Sequence, residues 1–252
     1  MSMQPGVAWI IGGGSGIGAA VATLLAKRGW TVAISGRRED KLAAVAKGHP
    51  TISPYPLDVT DTPAIEATVH RIAAELGRID LFIFGAAAWQ PMDVGDYDYE
   101  KFAKVVDTNY LGVLRIANPV IAQMERQGGG HFSVIASVAG YFGLPRSAAY
   151  SSTKAGLINL LETMRTELAP RHIKVRMIAP GFVKSELTDK NDFPMPFLME
   201  TDEAAKRIVD GLTQSDRFEI AFPKRMVWLM KTVRWLPYPV FFWLTSKMLP
   251  KD

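Results

Sequence analysis

The chain has 252 residues, no cysteine and a formal net charge of +4 at pH 7, from 29 lysines and arginines against 25 aspartates and glutamates. This composition, with 48% hydrophobic residues, excludes a disordered chain, a collagen-like chain and a disulfide scaffold. The absence of cysteine excludes thiolate nucleophiles and iron–sulfur clusters, and the charge is too small to indicate a nucleic-acid-binding protein.

In chain order, short apolar runs alternate with longer segments of helical period. The first run has no polar alternation, which is typical of a strand that is buried on both faces. Predicted strands cover residues 7–11, 31–35, 51–57, 79–84, 131–136 and 174–178. Predicted helices cover residues 16–28, 39–47, 61–76, 97–126 (with a break expected near Pro119) and 147–169. This repeated βα unit predicts an α/β fold: a single Rossmann-like, doubly wound parallel sheet with helices on both faces.

After the sixth strand the rhythm changes. Residues 180–200 are rich in proline and methionine and are interpreted as a loop with a short helix, followed by a helix over 203–212 and a last strand over 218–222. We therefore expect one domain over residues 1–222 and a C-terminal tail over 223–252. No signal peptide and no apolar stretch of about 20 residues is visible, which favours a cytoplasmic protein.

The positive charge is concentrated in the tail. Residues 224–252 contain six basic residues and one acidic residue, so they carry +5, while the other 223 residues carry −1 from 23 basic and 24 acidic groups. The same segment is rich in aromatic residues: Trp228, Trp235, Tyr238, Phe241, Phe242 and Trp243.

A glycine-rich turn follows the first predicted strand and opens the first predicted helix. Glycine permits a positive φ and lets a phosphate approach the main chain, and a helix N-terminus favours a pyrophosphate. The spacing of Gly12, Gly16 and Gly18 is GxxxGxG. The predicted cofactor residues of this turn are Gly12, Gly14, Ser15, Gly16, Ile17 and Gly18.

The end of the second strand indicates which dinucleotide would bind. NAD-binding Rossmann proteins place an acid here for the ribose 2′-hydroxyl, whereas this chain has Arg37 and Arg38. A guanidinium binds a phosphate as a fork, so NADP(H) is preferred, with Arg37 as the main contact and Arg38 as support, and NAD(H) stays open. The alternative is that both arginines are solvated surface residues.

Tyr150 and Lys154 are four residues apart, so on a helix they share one face. A neighbouring cation lowers the pKa of a tyrosine, which can then act as a general acid or base near neutral pH. Ser137 follows the fifth strand, where an open parallel sheet binds its ligands, and Asn109 lies on the fourth predicted helix.

The glycine spacing and the order of Asn109, Ser137, Tyr150 and Lys154 resemble the short-chain dehydrogenase/reductase family. The resemblance implies hydride transfer between a nicotinamide dinucleotide and a carbonyl or alcohol carbon. Tyr150 would exchange a proton with the substrate oxygen, and Ser137 would orient that oxygen. Lys154 would lower the pKa of Tyr150 and bind the nicotinamide ribose, and Asn109 would hold a water that relays protons to Lys154.

The resemblance also implies further cofactor contacts and a substrate lid over about 185–200. Asp58 and Val59 would lie at the adenine, Ala86 would lie against the cofactor, and the nicotinamide carboxamide would be held by Pro180, Gly181, Val183 and Ser185. One departure is Phe84-Gly85, where the family usually has two asparagines that knit the central strands, so we expect that hydrogen bonding to come from elsewhere. No metal site is implied.

Several points stay open in the sequence. Methionine and aromatic residues in the lid favour an apolar carbonyl or alcohol substrate, with Trp89 and Tyr141 as candidates to face it, although these lid residues could equally be simple packing. The family resemblance implies a homodimer or homotetramer. The tail, with amphipathic segments over 224–236 and 239–249, could make peripheral contact with a membrane, cover the site or form a subunit interface. The alternative function is a catalytically silent dinucleotide-sensing or membrane- or partner-binding protein on the same fold.

Overall fold

A computed structural model describes residues 3–191 and 193–249. Within these residues a seven-stranded sheet has the order β3-β2-β1-β4-β5-β6-β7, and every neighbouring pair is parallel. The strands are β1 Val7–Ile11, β2 Thr31–Ser35, β3 Ile52–Pro54, β4 Leu81–Phe84, β5 Gly130–Ile135, β6 Ile173–Pro180 and β7 Glu219–Phe222. This topology confirms the predicted Rossmann-like fold.

Helices connect the strands. They are α1 Gly16–Lys27, α2 Glu39–Ala46, α3 Thr62–Leu76, α4 Tyr99–Val106, α5 Gly112–Arg126, α6 Ala148–Leu168, α7 Thr201–Gln214, α8 Lys224–Arg234 and α9 Tyr238–Ser246. The sheet separates two hydrophobic cores. One contains residues of α3, α5 and α6, and the other contains residues of α1, α2 and α7.

Strand β1 shows why its apolar run has no alternation. Successive side chains of a strand point to opposite faces of the sheet. Trp9 and Ile11 therefore lie in the core with α5, while Ala8 and Ile10 lie in the core with α1. Because both faces are covered, every residue of this strand is buried.

The predicted fourth helix is interrupted at a different place from the one expected. The segment over 97–126 divides into α4 and α5 at a π-helical turn, Asp107–Leu111, whereas Pro119 lies inside α5 without ending it. The predicted break near Pro119 is therefore wrong. Local π-helical turns are frequent at functional sites, and this one carries Asn109.

Strand β3 is shorter than predicted, three residues in place of 51–57, and it forms one edge of the sheet. It ends at Pro54, with Pro56 two residues later, and proline removes the amide that would continue a ladder. Strand β6 is longer than predicted and reaches Pro180. This extension carries the chain directly to the edge of the sheet where the strands end.

The missing asparagine pair after β4 is replaced by main-chain contact. The Gly85 amide donates to the Ile11 carbonyl at 2.8 Å, and a Cβ on Gly85 would lie 2.9 Å from that same oxygen. A buried hydrogen bond from Trp9 Nε1 to Ser35 Oγ at 2.9 Å joins β1 to β2. The ends of the central strands are thus held without the two amide side chains.

The predicted boundary between residues 222 and 223 lies between β7 and α8. Met226 and Met230 of α8 are buried with Val138, and Phe241 of α9 packs edge-on against Phe142 at 5.3 Å. Of the helices in the described residues, none is long and apolar enough to cross a membrane. Residues 250–252, at the end of the predicted tail, lie outside the described residues.

Gly18 provides a stability test of the glycine turn. A Cβ at this position would collide with the Gly12 carbonyl oxygen, whereas a Cβ on Gly143 would have no atom within 4 Å. We expect Gly18→Ala to lower the free energy of unfolding by about 1–3 kcal/mol, because the turn and α1 must separate. The matched control, Gly143→Ala, should change it by less than about 0.5 kcal/mol. Urea unfolding of both variants measures the difference, and equal effects would contradict the assignment of Gly18 as a packing constraint.

Candidate active site

A cleft with a volume of about 550 Å³ lies at the carboxyl ends of the strands. The structure brings every predicted cofactor residue to its wall except Asn109. These residues are Gly12, Gly14, Ser15, Gly16, Ile17, Gly18, Arg37, Arg38, Asp58, Val59, Ala86, Tyr150, Lys154, Pro180, Gly181, Val183 and Ser185, and Ser137 lines the same cleft.

The glycine turn forms one wall of the cleft. Gly12 has a φ of 79°, and a Cβ there would lie 2.8 Å from the Ala86 nitrogen, so the turn packs directly on the end of β4. Ser15 precedes α1 without a side-chain capping hydrogen bond. The amides of the first helical turn are therefore not capped by Ser15, which suits a bound anion such as a pyrophosphate.

The basic end of the cleft contains an acid that the sequence analysis missed. Arg38 donates to Ser15 Oγ at 2.9 Å and forms an ion pair with Glu186 at 2.8 Å. Lys41 approaches the same carboxylate at 3.5 Å. The hydrogen bond from Arg38 lowers the pKa of Glu186. Glu186 stands beside Ser185 in the sequence, but nothing local shows that it reaches across to the arginine.

Asp58 lies on the cleft wall and does not cap α3. Its Oδ1 accepts hydrogen bonds from the Thr60 amide at 3.0 Å and the Thr60 hydroxyl at 2.9 Å. The capping residue of α3 is Asp61, whose side chain accepts from the Ala64 amide at 3.0 Å. Asp58 is thereby oriented at the adenine end of the predicted cofactor position.

The three residues with predicted roles in chemistry meet in the cleft. Ser137 is buried, and its hydroxyl donates to the Pro180 carbonyl at 3.4 Å. It also accepts from the Ala139 amide at 3.1 Å, in the short turn that follows β5. Lys154 is 2% exposed, and its Nζ lies 5.4 Å from the ring centroid of Tyr150.

Burial dominates the titration of this group. It raises the pKa of Tyr150 to about 12, against a smaller lowering by the hydrogen bond from Ser137. It also lowers the pKa of Lys154 to about 7, and the Nζ donates to the Ile135 carbonyl at 2.8 Å. Burial thus acts on both groups against their charged forms, and the lowering of the Tyr150 pKa by Lys154 stays a prediction.

Asn109 lies behind the cleft and not on its wall. Its Oδ1 accepts from the Ala88 amide at 2.7 Å, and its Nδ2 donates to the Ala88 carbonyl at 3.0 Å and to Thr153 Oγ1 at 3.3 Å. The side chain is fully buried, so the prediction of Asn109 as a cofactor contact is not supported by this geometry. Instead, Asn109 joins the loop after β4 to the helix that carries Lys154.

The turn after β6 also lines the cleft and lies close to the glycine turn, because a Cβ on Gly16 would lie 3.3 Å from Ser185 Cβ. The Ser185 amide donates to Thr188 Oγ1 at 2.9 Å, and that hydroxyl donates in turn to the Val183 carbonyl at 2.8 Å. Thr188 also lines the cleft and was missed in the sequence, where only Ser185 was identified as the hydroxyl of this turn. The predicted lid includes Asp192, which lies outside the described residues.

Aromatic residues border Tyr150. The ring of Trp89 meets the ring of Tyr150 edge-on at 5.3 Å, and its Nε1 donates to Asn191 Oδ1 at 2.9 Å. This bond joins the loop after β4 to the predicted lid above the tyrosine. Tyr141 does not line the cleft, because its hydroxyl donates to Glu219 Oε1 at 2.6 Å.

Comparisons with known proteins agree with this architecture. An uncharacterized oxidoreductase of Myxococcus xanthus is 36% identical over 239 residues, covering 93% of this chain and 94% of its own. A 3-oxoacyl-[acyl-carrier-protein] reductase of Thermotoga maritima is 34% identical over 194 residues, covering 75% of this chain and 79% of its own.

A solved short-chain dehydrogenase from Burkholderia cenocepacia, in complex with NADP, shares the fold with a TM-score of 0.85 at 22% identity over 100% of both chains. The family model described as short chain dehydrogenase matches residues 6–194, which is most of the chain. The protein therefore belongs to the short-chain dehydrogenase family and is an NAD(P)-dependent oxidoreductase.

Proposed function

We propose that the protein transfers a hydride between NADP(H) and the carbonyl or secondary alcohol of an apolar substrate. The observation that carries this proposal is a single cleft with two chemically distinct ends. Ser137, Tyr150 and Lys154 lie at one end, and Arg37 and Arg38 lie at the other. This combination fits a reacting centre joined to a phosphate-binding end.

Each residue of the reacting end has a distinct part. The bound nicotinamide would supply or accept the hydride. Tyr150, with its raised pKa, keeps its proton at neutral pH and donates it to the carbonyl oxygen during reduction. Ser137 lines the same cleft and would orient the same oxygen. Lys154 holds the ribose, and as an ammonium it stabilises the phenolate that remains on Tyr150.

The preference for NADP(H) rests on charge at the end of β2. Arg37, Arg38 and Lys41 bring three cations to the place where a ribose 2′-phosphate would lie. The NADP complex of the Burkholderia cenocepacia structure supports the same cofactor on the same fold. Glu186 opposes it, because its carboxylate holds Arg38 and would repel a phosphate.

An apolar substrate is favoured by the surroundings of Tyr150. Trp89 contacts its ring, and Phe182 packs on Phe193 of the lid at 6.0 Å. These side chains offer hydrophobic contact to the part of a substrate next to its carbonyl group.

We also propose that the protein is a cytoplasmic homodimer or homotetramer. Leu111 and Leu114, beside and within α5, are each 38% exposed and provide apolar surface for a subunit contact. The family resemblance is the other support for this assembly.

Tyr150→Phe tests the proton transfer. We expect turnover to fall by at least about 100-fold, because the substrate oxygen loses its proton donor, while the dissociation constant for NADPH stays nearly unchanged. The measurements are single-turnover kinetics with a panel of apolar carbonyl compounds and fluorescence titration with NADPH. Tyr141→Phe, whose hydroxyl is bound to Glu219 outside the cleft, is the control and should retain turnover. Substantial activity of the Tyr150 variant would contradict the mechanism.

Two substitutions at the phosphate-binding end should change the preference for NADPH over NADH in opposite directions. Arg37→Ala should lower kcat/KM for NADPH by at least about tenfold with little effect on NADH, because a charge-assisted contact to the 2′-phosphate is lost. Glu186→Gln should raise the NADPH-to-NADH ratio of kcat/KM, because it frees Arg38 and removes a repelling carboxylate. Glu200→Gln, a change to another lid acid that pairs with Lys184 at 3.6 Å outside the cleft, is the matched control. A preference of the unaltered enzyme for NADH would reject the assignment.

Burial of Lys154 predicts a conflict between stability and activity. The pKa of Lys154 is about 7 in the folded protein, against an ordinary value of 10.5. Between pH 7 and pH 10.5 the unfolded chain therefore binds more protons than the folded protein, so the free energy of unfolding rises with pH. Lys154→Met removes the buried charge, so at neutral pH we expect its Tm to rise by about 2 °C or more while turnover is lost.

The rise in Tm should shrink as the pH increases toward 10, because the cost of deprotonating Lys154 on folding falls as the pH approaches the pKa of lysine in the unfolded chain. Thermal unfolding between pH 6 and 10 measures it, with the exposed Lys104→Met as control. A difference in Tm that does not depend on pH would show that packing, and not the buried ammonium, is responsible.

A further inference from the structure

The two C-terminal helices expose an unusually apolar surface. Of seventeen large hydrophobic side chains exposed among the described residues, nine belong to residues 224–249. Trp235 is 86% exposed, Trp228 73% and Phe242 61%. We define the C-terminal patch by its exposed aromatic and leucine side chains: Trp228, Leu229, Trp235, Tyr238, Phe242 and Trp243. A concentration of exposed apolar side chains of this kind indicates an interaction site.

The opposite face of these helices is seated on the body of the protein. Met226 and Met230 are buried against Val138 and neighbouring aromatic residues. Phe241 is buried and meets Phe142 edge-on. Since the inner positions are already filled, the C-terminal patch faces outward as a built surface of the folded chain.

The charge around the C-terminal patch is of one sign. Residues 224–249 contain five lysines and arginines and no acid. Lys231 pairs with Glu219 of β7, and Lys247 lies 3.5 Å from the ring centroid of Trp243. Within the described part of the chain, Lys224, Arg225 and Arg234 make no ion pair with an acidic side chain. These three exposed cations lie on α8, the helix that also carries Trp228 and Leu229.

We propose that the C-terminal patch docks the protein on the surface of an anionic phospholipid bilayer. Tryptophan and tyrosine favour the headgroup region because their rings are apolar and their N–H or O–H groups stay hydrated. Lysine and arginine on the same helices attract lipid phosphates. The helices have 11 and 9 residues, lengths that suit lying in the interface and not crossing it.

A second copy of the chain is a poorer occupant. A twofold contact pairs the same surface on both subunits, so it would bring Lys224, Arg225 and Arg234 of one subunit near those of the other. Charge complementarity therefore selects the anionic membrane.

Docking would also place the substrate end of the cleft close to lipid. The inner face of α8 packs on Val138, the residue after Ser137, so the same helix joins the C-terminal patch to the reacting end. An apolar substrate could then enter from the bilayer. This consequence rests on the proposed function, whereas the docking itself does not.

Flotation of the full chain with phosphatidylcholine vesicles, with and without phosphatidylglycerol, tests the docking without any activity assay. At physiological ionic strength we expect partitioning to be at least about tenfold stronger with the anionic lipid, to weaken as salt is added, and to shift tryptophan emission to shorter wavelength. Lys224→Glu with Arg225→Glu should weaken binding by at least about tenfold, and Trp228→Ser with Trp235→Ser should abolish it. Tyr97→Ser with Tyr99→Ser, exposed aromatic residues outside the tail, is the matched control and should bind normally.

Three results would overturn the docking proposal. The first is no binding to the anionic vesicles, and the second is equal loss of binding in the tyrosine control. The third is a smaller assembly of the tryptophan variant in light scattering, which would make the C-terminal patch a subunit interface. Circular dichroism checks that each variant is folded, and the charge variant tests the proposal separately from the aromatic one.

Discussion

The parallel direction of all seven strands is the constraint on which the rest of the protein depends. Parallel strands end at the same edge of the sheet, so segments far apart in the chain meet there. The glycine turn follows β1, Ala86 follows β4, Ser137 follows β5 and Pro180 ends β6. Each return to the starting edge needs a crossover helix, and these helices cover both faces and create the two cores.

The site that gathers at this edge works against the stability of the protein. Both Lys154 and Tyr150 have pKa values moved by burial toward their neutral forms, although the proposed chemistry uses a charged lysine and a stabilised phenolate. The hydrogen bonds of Lys154 to Ile135, and of Asn109 to Ala88, hold the surrounding backbone in place. The fold therefore supplies orientation to this group at a cost in stability.

Much of the fold and part of the candidate site could be predicted from the sequence, because these features depend on local periodicity. The buried run of β1 and the four-residue spacing of Tyr150 and Lys154 are properties of a strand and a helix. Local periodicity does not predict the π-helical turn at Asn109 or the ion pair of Glu186 with Arg38. Both depend on packing between segments that are far apart in the chain. The predicted helix break near Pro119 was wrong for the same reason. Local preference disfavours a proline inside a helix, but the surroundings of Pro119 in α5 tolerate it.

The C-terminal helices connect this edge to the outside of the protein. The hydroxyl of Tyr141, four residues after Ser137, binds Glu219, and Lys231 of α8 binds the same carboxylate and lies 5.4 Å from the centroid of the Tyr141 ring. Burial and the Glu219 hydrogen bond raise the pKa of Tyr141, so this phenol stays protonated and keeps donating. Glu219 thereby joins α8 to the segment that follows Ser137. Helix α8 packs on the turn after Ser137 and also carries part of the C-terminal patch. One helix therefore joins the proposed lipid-binding surface to the catalytic cleft.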